Sequence, residues 1–138
     1  MIGLDHGSRR IGVAVGDEET GLAFARPAFR AGDLPAIVEF VRREAGTMVV
    51  IGLPRNMDGS EGSQAAAARR FGDRLAELGL MVNYQDERLS SWQASEQLAA
   101  AGRNPIRSNG EIDSAAARVI LQDYLDARTR PRSQQETE

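Results

Sequence analysis

Residues 1–17 read MIGLDHGSRRIGVAVGD. Residues 1–4 form a short apolar run, and Ile11, Val13 and Val15 then alternate with the small residues Gly12, Ala14 and Gly16. That two-residue period belongs to a strand packed on its neighbours, and the intervening HGSRR at 6–10 reads as a hairpin turn. The chain therefore opens a sheet with two antiparallel strands. Asp5 arrives at the end of the first strand, where a carboxylate is hard to bury.

A third strand falls within residues 22–29, and Pro27 suits only an edge strand or a strand end. Asp33 can cap a helix whose apolar stripe is Leu34, Ile37, Val38, Val41 and Ala45, with Gly46 as its stop. Residues 47–53, TMVVIGL, are continuously apolar, as an interior parallel strand covered on both faces should be. The loop PRNMDGSEG at 54–62 leads to a second helix with Ala68, Phe71, Leu75 and Leu78 on one face and Gly79 closing it. Residues 80–87 read as a further strand. Ser90 with Gln93 can open a helix to about Gly102, and Ser108 with Glu111 a last one to about Arg128. The polar stretch 129–138 is expected to fray. A hairpin followed by strand–helix alternation implies an α/β mixed sheet, its first three strands antiparallel, with helices on both faces.

The 138 residues suit one domain, placed at 1–128. With no cysteine, disulfides, thiolate metal sites and a cysteine nucleophile are excluded. No stretch is apolar for the roughly 18 residues that a membrane span takes, so no membrane partner and a cytoplasmic location are expected. All 17 basic residues are arginine, a usage that a GC-rich coding sequence explains without any functional demand. The net charge of −3 leaves nucleic-acid binding to local arginine patches or bound metal, because phosphate affinity comes largely from positive charge.

Three acidic positions strain a structural account. Asp5 ends the first strand, Asp86 and Glu87 end a later one, and Asp113 begins the last helix. Helical steps from Asp113 reach Ala117, Ile120, Leu121 and Tyr124, so it shares the face that must pack on the sheet. Singly, each has an ordinary explanation. Asp5 can bond its own turn, Asp86 or Glu87 can pair with Arg88, and Asp113 can offset the positive helix end. Together they favour a shared site, because neighbouring carboxylates repel unless a cation holds them, and Mg²⁺ or Mn²⁺ prefers such oxygen ligands. Alternation puts Glu87 on the face of Asn83 and Gln85, and Asp86 with Val82 and Tyr84.

The stretches GLDHGSRRIGVAVGD, VVIGLPRNMDGSEGSQA, YQDERLSSWQA and IDSAAARVILQDYL, in that order, resemble the YqgF or RuvX family of pre-16S rRNA nucleases, also called Holliday-junction resolvase-like. The resemblance implies an RNase H-like, RuvC-like fold with a five-stranded mixed sheet. It also implies a divalent-metal nuclease whose acidic triad maps onto Asp5, Glu87 and Asp113, with Asp86 second choice to Glu87. Relative to true junction resolvases the third position offers a single carboxylate, since Ala116 and Ala117 follow where a second acid would stand. The implied partner is nucleic acid, pre-rRNA before branched DNA, in ribosomal precursor particles, for a monomer or homodimer.

Around this centre, Arg55 and Asn56 in the glycine-rich loop are candidates to meet a phosphate. Arg9, Arg10, Arg88, Arg103 and Arg107 are candidates for the nucleic-acid backbone. Arg69, Arg70 and Arg74 read as solvated helix charge. His6 reads as an incidental turn residue rather than a base, and Trp92 and Tyr84 as packing residues rather than base-stacking ones. Rival readings are a junction resolvase with the same chemistry, a non-catalytic assembly factor that binds nucleic acid, and a nucleotide phosphotransferase suggested by Asp5-His6-Gly7. The last normally needs a second such domain, for which 138 residues leave no room.

Overall fold

The computed structural model describes residues 1–45, 48–87 and 111–136, with side chains described at all of these except 45, 111–113 and 129–136. Three strands come first, β1 (Ile2–His6), β2 (Arg10–Asp17) and β3 (Leu22–Arg30). They are followed by α1 (Leu34–Ala45), β4 (Met48–Leu53), α2 (Ser63–Glu77), β5 (Met81–Asp86) and α3 (Glu111–Glu136). The sheet has five strands in the order β3-β2-β1-β4-β5. β1, β2 and β3 pair antiparallel, and β4 and β5 add in parallel, so the expected mixed sheet is present. Among the described residues no helix is long and apolar enough to cross a membrane.

Period-two alternation divides the sheet into two differently covered faces. Ile2, Leu4, Ile11, Val13, Val49, Ile51 and Leu53 bury against the α1 stripe of Leu34, Ile37, Val38 and Val41 and the α2 stripe of Ala65, Ala68, Phe71 and Leu75. The other face is built from Ala14, Ala23 and Val50 and is covered by Ala117, Ile120, Leu121 and Leu125 of α3. β4 contributes to both, which is why its sequence is continuously apolar.

Local signals set the ends of these elements. Asp33 caps α1, its Oδ1 accepting the Ala36 N–H at 3.4 Å. Gly79, at φ +98°, closes α2, and Leu80 N–H returns to the Leu75 carbonyl at 3.2 Å. Leu78 departs from the expected stripe: it caps the helix after its last buried turn and is 43% exposed. Pro27 lies on the edge strand at a register shift, where a missing N–H costs the ladder least. The backbone of α3 continues to Glu136, beyond the end expected near Arg128. The expected helix over 90–102 and the Ser108 cap lie outside the described residues, as do Gly46, Thr47 and Trp92.

Glycines line the bed on which α3 packs, leaving no room there for a Cβ. A Cβ on Gly3 would stand 2.8 Å from Leu121 Cβ and 3.0 Å from the Ala117 carbonyl oxygen, and one on Gly16 would stand 2.8 Å from Leu121 Cδ2. Two side chains then fix the helix along the strands. Ser114, fully buried, accepts the Val13 N–H on Oγ at 3.1 Å, beside the register shift between β2 and β3. Gln122 accepts the Ala23 N–H at 3.0 Å and donates to the Gly21 carbonyl at 2.7 Å, so its amide substitutes for a strand partner.

Removing the Ser114 hydroxyl strands a buried N–H, a loss of about 1–3 kcal/mol. Urea unfolding of Ser114→Ala should show that loss, while Arg118→Ala, exposed on the same helix, should stay within about 0.5 kcal/mol of the parent.

Candidate active site

The C-terminal ends of β1, β4 and β5 lie side by side at one end of the sheet. Ligands in open α/β sheets bind outside such strand ends. Asp5 is the penultimate residue of β1, and Glu87 immediately follows β5, its N–H donating to the Leu53 carbonyl at 3.1 Å. Val82 and Tyr84 pack with the α1–α2 face, so alternation turns Glu87 to the α3 face. Asp5 takes that same face, because Ile2 and Leu4 point to the other one. Gly52, between them on β4, makes room: a Cβ there would stand 2.5 Å from Glu87 Oε2 and 2.5 Å from Ile120 Cδ1.

The two carboxylates open onto a cleft of about 490 Å³. It is lined by Asp5, His6, Gly52 and Glu87 from the strand ends, and by Ser63 and Gln64 from the first turn of α2. α2 begins at Gly62 with no side-chain cap and no acidic residue in its first turn, so its positive end is not offset by its own side chains. Ser63 and Gln64 carried no sequence signal as site residues; only the fold brings them to the carboxylates.

Burial pushes the Glu87 carboxyl up to about 7, and the neighbouring negative charges of Asp5 and then Asp86 add to the shift. Removing two such carboxylates from water side by side is costly unless a cation accompanies them. The donor set is therefore one a hard divalent ion would satisfy. Among the described residues no group of three His, Cys, Asp or Glu stands close enough to hold a metal. Asp113 falls in the first turn of α3 by its backbone, and its side chain lies outside the described residues. Its neighbour Ser114 is bonded to Val13, and the residue before Val13, Gly12, pairs directly with Asp5. The fold thus brings the backbone of Asp113 to the same end of the same face.

Asp86 takes the opposite face and pairs with Arg55, Nη1 to Oδ2 at 3.6 Å. Arg55 also stands 3.3 Å from Glu61 through Nε, which has no hydrogen-bond partner in that geometry. Glu61 in turn takes a bidentate pair from Arg69, at 2.8 and 2.7 Å. Arg69 also covers the Tyr84 ring at 5.0 Å. The charge of Arg55 is thus offset by two carboxylates, a poorer phosphate site than its loop position implied. Asn56 donates to Ser60 Oγ at 2.9 Å and helps hold the loop as a tight hairpin in which Gly59 takes φ +90°.

Arg9 and Arg10 are exposed at the β1–β2 turn. Arg88, Arg103 and Arg107 lie outside the described residues. His6 turns to the α2 side, its ring 5.0 Å from that of Phe71, while still lining the cleft. Burial first, and Arg70 second, lower its pKa, so it stays neutral at pH 7.

The sign of the Glu87 shift fixes a test. A carboxyl raised from 4.5 to about 7 binds its proton more tightly folded than unfolded, so it lowers metal-free stability as pH rises between those values. In EDTA, Glu87→Gln should stay close to the parent's melting temperature at pH 4, below both values, and exceed it at pH 8, above both. Equal values at both pHs would show that Glu87 carries no burial cost.

A protein named "Putative pre-16S rRNA nuclease" from Synechococcus sp. is 45% identical over 136 residues, covering 95% of this chain and 91% of the relative. One of the same name from Anaeromyxobacter sp. is 47% identical over 132 residues, covering 92% and 96%. Among solved structures, "T. thermophilus RuvC in complex with Holliday junction substrate" aligns with a TM-score of 0.53 at 15% identity, over 94% of this chain and 96% of that one. At that identity the likeness shows the fold, the RNase H-like architecture expected from the sequence. A family model described as "RuvX: Holliday junction resolvase" matches residues 1–127, and the chain belongs to that family.

Proposed function

We propose that this protein is a divalent-metal-dependent endonuclease that cleaves phosphodiester bonds in RNA, acting at the 5′ end of pre-16S rRNA in the cytoplasm. The observation that carries the reading is the pairing of Asp5 with a desolvated Glu87 on the α3 face, beside an open polar cleft. The names of the relatives supply the substrate.

In this reading Asp5, Glu87 and Asp113 hold Mg²⁺ or Mn²⁺. When bound, the ion supplies Lewis-acid stabilisation of the charge that develops at the phosphorus centre. Binding the ion requires the ionised form of Glu87, so protons compete with metal below about pH 7. Gly52 leaves room for the Glu87 side chain over β4, beside the buried Ile120 of α3. The open first turn of α2 adds backbone N–H groups on the cleft's far wall, favourable to a phosphate oxygen.

The family description favours a second reading, a resolvase of branched DNA using the same centre. Such an enzyme needs two sites related by a two-fold axis, so it predicts an active dimer. Pre-16S rRNA and a four-way DNA junction should be offered side by side at saturating Mg²⁺. Cleavage of the rRNA, at least 100-fold slower in Asp5→Asn, is the expected result. Unchanged cleavage by Asp5→Asn would refute the assignment of the centre, and cleavage of the junction alone would establish the second reading.

A further inference from the structure

Arg69, Arg70 and Arg74 all lie on α2, and the 3.6-residue period of the helix sends them to different sides. Ser63 and Ala67, which line the cleft, stand four residues apart on one side of the helix, and Arg70 follows three residues later on that same side. Phe71, next along the chain, is buried and holds the His6 ring at 5.0 Å, and His6 is itself a cleft residue. The charge of Arg70 reaches that ring, where it is second only to burial in lowering the pKa. Arg70 is exposed, so it stands beside the cleft with its charge open to solvent.

Its neighbour turns the other way. Arg69 lies over the Tyr84 ring of β5 and gives both of its hydrogen bonds to Glu61. Among the described residues no carboxylate stands within ion-pair distance of Arg70. Two consecutive arginines therefore differ in what they can offer a ligand: the first is committed to the protein, and the second carries its charge on the cleft side. Arg74 repeats the direction of Arg70 one turn later, about 6 Å farther from the helix end that lines the cleft. The cleft itself joins the two faces of the sheet, with Asp5 and Glu87 on the α3 face and the α2 wall on the other.

We infer that Arg70 binds a backbone phosphate flanking the scissile one, and that the nucleic-acid strand crosses the ends of β1 and β4 from the α3 face to the α2 side. The inference rests on the nuclease reading for the identity of the ligand and deepens it by giving the strand a path. The planar guanidinium fork takes phosphate oxygens in pairs, which an amide of similar length cannot do. A contact to a phosphate that does not react holds the ground state and the transition state alike, so its loss raises KM and spares kcat.

The test measures binding of a fluorescent single-stranded fragment of the pre-16S 5′ leader in EDTA, where cleavage does not interfere, at several salt concentrations. Arg70→Gln should bind at least threefold more weakly than the parent and lose about 0.7 from the steepness of log K against log salt, the share of one single-strand phosphate. Arg70→Lys should keep the parent's slope, which separates charge from folding. Arg43→Gln removes the same charge from the exposed last turn of α1, next to the start of β4 and away from the cleft, and should bind as the parent does. With Mg²⁺, Arg70→Gln should raise KM at least threefold and leave kcat within twofold. A loss of affinity and slope no greater than that of Arg43→Gln would overturn the contact, as would a parent that does not bind the RNA. A fall in kcat at unchanged KM would also overturn it, by placing Arg70 at the reacting group. A parent whose binding depends on Arg70 but which cleaves neither the rRNA nor a DNA junction would instead overturn the nuclease reading and leave the phosphate contact standing.

Discussion

Everything at the candidate site depends on how closely α3 can approach the sheet. Two strand glycines, Gly3 and Gly16, remove the Cβ atoms that would hold the helix off, and Leu121 settles between them. Gly52 does the same for Ile120 and at once makes room for Glu87. A glycine in a strand gives up side-chain packing and loses more backbone entropy than other residues. Here that cost is offset by apolar burial along Ala117, Ile120, Leu121 and Leu125. Ser114 and Gln122 then prevent the helix from sliding, because each satisfies a strand N–H by a side-chain oxygen. The helix N-terminus is thereby fixed at the end of the sheet where Asp5 stands.

The same geometry answers why a carboxylate ends a core strand. Asp5 closes β1 at the sheet end where the cleft opens, on the face that α3 covers. Glu87 reaches that face by being one residue past Asp86, whose own side chain turns away to Arg55. Two consecutive acids thus do different work. Asp86 stabilises the loop side of β5, while Glu87 bears the desolvation that makes a cation favourable. Positive charge next to the loop is tied to acids, Arg55 and Arg69 both meeting Glu61.

Much of this was legible in the sequence, because periodicity is a local property. The alternation of Ile11, Val13 and Val15, the apolar β4 and the α3 stripe each mark an element and the face it buries. The face of Glu87 followed from alternation with Val82 and Tyr84. What could not be read was set by contacts distant in sequence. Arg55 looks like a phosphate ligand in its loop until Asp86, 31 residues on, is seen beside it. Ser114 was the one missed residue with a local signal, a hydroxyl set within the apolar face of a helix. Leu78 failed as a stripe residue because α2 ends one position earlier and Gly79 turns the chain away.

The central claim is that Asp5 and Glu87 form one cation-binding centre on the α3 face. Calorimetric titration of the metal-free protein with Mn²⁺ near pH 6.5, in two buffers of different ionisation enthalpy, tests it directly. Binding should release a substantial fraction of a proton as Glu87 ionises, and Asp5→Asn and Glu87→Gln should each weaken it at least tenfold. Mn²⁺ binding of parental affinity in either variant, or binding with no proton release, would contradict the account.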